Sequence, residues 1–81
     1  MQAIIEDQAV VTFDSVALYI VGGSITLEFF DNRYGEPVFS LSFPNAKAAV
    51  KCLNEISNLF KLWKDISRIY ISKEFEVTKV F

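Results

Sequence analysis

The spacing between apolar residues changes twice along this chain, and each change marks a boundary. Over residues 9–43 a period of two dominates the apolar positions, as in half-buried strands. From Asn45 they recur at intervals of three and four, as on one stripe of a helix. Beyond residue 66 alternation returns. A chain with one amphipathic helix between two groups of strands has one sensible solution, a sheet that buries its apolar face under that helix.

The strands are expected at residues 9–13, 16–21, 24–30, 38–43, 66–72 and 75–81, with Ala3, Ile4 and Ile5 pairing ahead of them or only leading in. Residues 16–21 are apolar on both faces, which places that strand centrally in a sheet or at an interface. Gly22-Gly23 supplies the positive φ angles of a tight hairpin. Asn45, directly after Pro44, is a good N-cap for a helix of about five turns. Its core stripe reads Ala49, Leu53, Ile56, Phe60 and Trp63, flanked by Val50, Cys52 and Leu59, so Leu53 or Phe60 cut to Ala is expected to unfold the domain. The fold class is therefore α+β: one domain over residues 1–81, a mostly antiparallel sheet of about five strands, and one helix packed on one face. The order is β-β-β-β-α-β-β with the first strand short or split.

Composition limits what such a domain can do. There is no His, and no acid, base and nucleophile stand at suggestive spacing, so no enzyme activity and no catalytic residue is expected. Gly22-Gly23 does not open a helix, so no phosphate-binding loop forms, and neither a cofactor nor a small-molecule substrate is expected. Asp31 and Glu36 are too few oxygen ligands for a metal site. The lone Cys52 and the lack of a leader pattern suit the cytoplasm, and the longest apolar run is far too short for a membrane span. Ten acidic and eight basic residues leave a net charge of −2, with no basic field for a phosphate backbone. Lys47, Lys51, Lys61 and Lys64 give the helix a basic side, which keeps weak nucleic-acid binding as an alternative only.

What remains is the surface. One helix is roughly 10 Å wide and covers two or three strands, so a wider sheet leaves apolar side chains uncovered. Tyr19, Phe30, Val38, Tyr70 and Val80 are expected on the face turned away from the helix, with Arg68 beside them. Between strands, the segment Asp31-Asn32-Arg33-Tyr34-Gly35-Glu36-Pro37 has turn chemistry at every position except Arg33 and Tyr34, two residue types enriched at interface hot spots. The expected partner-binding residues are Tyr19, Phe30, Arg33, Tyr34, Val38, Arg68 and Tyr70. The expected activity is that of a non-enzymatic protein-binding module, an inhibitor or adaptor docking on a larger protein. Small acidic α+β chains encoded by phages and mobile elements against host defence offer an analogy of size and composition. The alternative is a homodimer through the sheet face or edge.

Overall fold

The computed structural model describes residues 1–62 and 68–80, apart from the Leu62 side chain; the expectations for Trp63, Lys64, Ile66 and Phe81 fall outside them. It is α+β, mostly antiparallel, with one helix. The strands are β1 (Gln2–Ile5), β2 (Ala9–Thr12), β3 (Ser15–Val21), β4 (Ser24–Phe30), β5 (Phe39–Ser42), β6 (Arg68–Ile71) and β7 (Val77–Val80), and the helix α1 (Ala46–Leu62) lies between β5 and β6. They form two sheets, ordered β2-β1-β6-β7 and β3-β4-β5.

The expectation of one sheet gives way at Phe13 and Asp14. The Phe13 N–H donates to the Met1 carbonyl at 2.8 Å, while the next amide, of Asp14, donates to the Phe30 carbonyl at 2.8 Å. Consecutive residues thus bond to different sheets, and a single extended run passes from one to the other around a corner, as strands do in orthogonal packings. Ala3-Ile4-Ile5 does not merely lead in. It is an inner strand of the four-stranded sheet, antiparallel to β2 and parallel to β6, with Ala3 opposite both Val11 and Ile69.

The two sheets and the helix share one core. Ala3, Ile5, Val11, Ile69 and Ile71 come from the first sheet, Leu27, Phe29 and Leu41 from the second, and Ala49, Cys52 and Ile56 from the helix, all in one buried cluster with Phe13 and Phe43. Phe13 fills the corner, edge-to-face with Phe29 at 5.1 Å and with Phe60 at 6.0 Å. The helix stripe is centred on Cys52 rather than on Leu53: Leu53 is half-buried and Phe60 keeps 38% of its surface exposed. Facing a corner between two sheets, the helix turns the side bearing Ala49 and Cys52 inward, and small residues there permit close approach.

The local signals act as read. Asn45 Oδ1 accepts from the Ala48 amide at 2.8 Å and caps the helix. Gly22 and Gly23 have φ of 55° and 86°, the pattern of a type I′ hairpin, and join β3 to β4 with Val21 opposite Ser24. Between β6 and β7 Phe75 takes φ of 64°, a left-handed conformation rare for a bulky residue. Its ring is held against Phe43, centroids 4.4 Å apart, so side-chain packing offsets the backbone strain.

Burial sets the chemistry of Cys52. Desolvation in the core, and then the nearby Glu55 carboxylate, push its thiol up to about 12. We expect Cys52 to resist thiol-reactive reagents at pH 8 in the folded protein and to react fully in denaturant, as absorbance of the released aromatic thiol would record. Because the folded pKa lies above the unfolded one, the folded state retains a proton that the unfolded state releases. The associated stability is complete below about pH 8.5, the usual thiol value, and is lost as pH rises toward 12.

Candidate functional site: a locked Arg-Tyr loop beside an open groove

The loop between β4 and β5 is built around one buried acid. Asp31 is 5% exposed. Its carboxylate accepts from the Arg33 amide at 3.1 Å, from Arg33 Nε at 3.1 and 3.2 Å, and from Arg33 Nη2 at 2.6 Å. Its carbonyl accepts from the Tyr34 amide at 2.9 Å, and Asp14 Oδ2 accepts from the Asn32 amide at 2.7 Å. The loop is therefore a turn, as Asp31 and Asn32 indicate, and Arg33 has a structural reason of its own: it neutralises the acid that organises the turn.

The same geometry presents Arg33 and Tyr34 outward. The Arg33 side chain is 66% exposed despite its ion pair, and its guanidinium carbon sits 5.7 Å from the centre of the Tyr34 ring, which is itself 59% exposed. The fork-shaped contact fixes a side chain that otherwise carries much rotamer entropy. The hydrogen bonds from Arg33, side chain first and backbone second, hold the Asp31 carboxyl below its ordinary value. A lowered folded pKa gives stability that is present above about pH 4 and lost as pH falls through the folded value. We expect the Arg33 Nε–H proton resonance to stay constant from pH 8 to pH 5 and to collapse toward its free position in stronger acid. Asp31→Asn should show the free position already at pH 7.

Across from this loop runs β2. Between them lies an open groove of about 320 Å³, lined by Val10, Thr12, Arg33, Tyr34, Val38 and Phe39 among others. β2 is one of the two edge strands of its sheet. The reciprocal bonds between Met1 and Phe13 place residues 9, 11 and 13 toward β1, so the backbone groups of Val10 and Thr12 point into the groove. Val10 is 65% exposed. Alternation separates Val10 and Thr12 from Ala9, Val11 and Phe13, but nothing local says that this strand is an edge or that the loop faces it.

The seven expected partner-binding residues do not share one face. Arg33, Tyr34 and Val38 meet at the groove. Tyr19, 44% exposed, and Phe30, half-buried, lie on the outer side of the three-stranded sheet. Arg68, exposed, and Tyr70, half-buried, lie on the outer side of the other sheet, where Arg68 is opposite Val80. Burial, then a hydrogen bond with Glu6, raises the Tyr70 hydroxyl pKa, so that hydroxyl has an internal partner. Among the described residues no helix is long and apolar enough to cross a membrane.

Over the described residues the fold is that of a small α+β protein, two sheets and one helix around a single core, and the site offers an ion-paired Arg33 beside Tyr34 at the edge of a groove. No family model, curated protein or solved structure matches the chain.

Proposed function

We propose that this protein is a non-enzymatic binding module that docks on a larger protein through the Arg33-Tyr34 loop and the groove beside β2, in the manner of an inhibitor or adaptor. The observation that carries this reading is the ion pair of Asp31 with Arg33, which holds an exposed arginine and tyrosine in one geometry before any partner arrives. Ordering such side chains on association costs roughly 0.5 to 1.5 kcal/mol each, and here that ordering is already in place. Arg and Tyr are also the residue types that most often dominate interface energetics. The buried free thiol of Cys52 suits a reducing, cytoplasmic setting.

Tyr34→Ala is the clean test, because Arg33→Ala would also strand the buried Asp31 carboxylate and loosen the loop. We expect Tyr34→Ala to leave the circular dichroism spectrum and melting temperature essentially unchanged. Affinity for the partner recovered from native-cell extract by the wild-type chain should weaken by roughly 10-fold or more, corresponding to about 1.4 kcal/mol or above. Unchanged affinity would place the contact elsewhere.

A further inference from the structure

The strand expected in the middle of a sheet or at an interface stands at an edge. β3 ends the order β3-β4-β5, and it emerges from its neighbours with Tyr19, Ile20 and Val21 exposed at 44%, 59% and 70%. A two-residue hairpin makes Val21 and Ser24 a hydrogen-bonded pair, so the alternate residues Tyr19, Ala17 and Ser15 also bond toward β4. The backbone N–H and C=O groups of Val16, Leu18 and Ile20 therefore point away from the sheet. Natural edges are blunted by charge, proline, bulges or cover. At β7 such cover is present: Glu55 reaches from the helix to accept the Val77 amide at 3.1 Å. The seven residues of β3 carry no charge and no proline.

We propose that two copies of the chain pair antiparallel through β3, about a two-fold axis at Leu18, giving a continuous six-stranded sheet. In this register Leu18 faces Leu18 of the second copy, Val16 faces Ile20, and Ala17 faces Tyr19. The outward backbone groups of three residues per strand then form about six hydrogen bonds. The large Tyr19 meets the small Ala17 on one side of the sheet. On the other side lies the argument for a second copy over a foreign strand. Ile20 shares its face with Ile25 and Leu27, toward the core, yet it lies exposed. Beside Val16, four residues back on the same strand, is a depression of about 190 Å³ lined by Leu53, Ile56 and Phe60 of the helix together with Asp14 and Ser57. Val16 and Ile20 are equidistant from Leu18, so the two-fold axis brings Ile20 of each copy to the depression of the other. The patch that needs cover and the recess that gives it belong to one strand, as an isologous interface requires. The partner's helix completes the roof that a single helix is too narrow to supply. This surface is separate from the Arg33-Tyr34 groove, which a dimer would present twice.

The test uses the full chain and two variants. Wild type should sediment at twice the mass of one chain at 100 µM and dissociate on dilution. Ile20→Lys, at a position exposed in the single copy, should keep the wild-type circular dichroism spectrum and sediment as a monomer, with association weakened at least 100-fold. Leu18→Cys should form a disulfide-linked dimer under mild oxidation, because an on-axis hydrogen-bonded pair has Cα atoms about 5.5 Å apart; Tyr19→Cys should not. A wild type that stays monomeric at 100 µM overturns the proposal, even if Ile20→Lys abolishes capture of another protein. So does a dimer that Ile20→Lys leaves intact, or one that Leu18→Cys fails to link. Because Tyr34→Ala does not touch β3, failure at either surface reads separately from failure at the other.

Discussion

Phe13→Ala is expected to take away a large part of the protein's stability at 25 °C. Phe13 is 1% exposed and sits where the chain leaves one sheet for the other, with Phe29 and Phe60 edge-on to its ring. Removing a buried phenylalanine ring costs roughly 3 to 5 kcal/mol through lost transfer free energy and the cavity left behind. A domain of this length has a total stability of order 4 to 12 kcal/mol. The corner has no spare packing to collapse into the gap, since both sheets are anchored by their own hydrogen bonds on either side of it. Urea denaturation followed by circular dichroism should show a midpoint well below that of wild type, with the slope unchanged. By contrast Phe60→Ala, at a side chain already 38% exposed, should cost about 1 to 2 kcal/mol, well below the value its place in the helical stripe implies. If Phe60→Ala proves as damaging as Phe13→Ala, the core is centred on the helix and not on the corner.

The contrast between those two phenylalanines also shows where sequence reading stops. Elements set by local chemistry were legible: the Gly22-Gly23 hairpin, the Asn45 cap, the alternation of β4 and the helical period after Pro44. Partners set at a distance were not. Gln2 pairs with Arg68 and Ile5 with Ile71 in a parallel ladder, and no residue near either end announces a match across most of the chain. The split into two sheets depends on where two successive amides, Phe13 and Asp14, find acceptors, and alternation simply continues through that point. For the same reason β3 reads equally as a central strand or as one at an interface. Its composition reports only that both faces avoid water, and an interface satisfies that as well as an interior does. At the candidate site the turn chemistry of Asp31 and Asn32 was visible, whereas the Arg33 ion pair needed the carboxylate to be buried first, which is a property of the assembled fold.

Ala3→Asp is expected to abolish cooperative folding at neutral pH, and it tests the least legible element of all. β1 is the strand through which the β6-β7 hairpin joins β2, since the sheet order is β2-β1-β6-β7. Ala3 is fully buried, opposite Val11 on one side and Ile69 on the other. A carboxylate there would lie among aliphatic side chains without a cationic partner, and an unpaired buried charge costs several kcal/mol even after relaxation. The hydrophobic stabilisation lost with the strand adds to that, because Ile5, Ile69 and Ile71 stay enclosed only while the three strands remain paired. Val10→Asp provides the internal control: it lies on the neighbouring strand but is 65% exposed, and an exposed substitution of this kind stays within about 0.5 kcal/mol. Thermal denaturation should give a cooperative transition for Val10→Asp and none for Ala3→Asp. If both melt like wild type, Ala3-Ile4-Ile5 is only a lead-in, and the β6-β7 hairpin is held to the core by the helix alone.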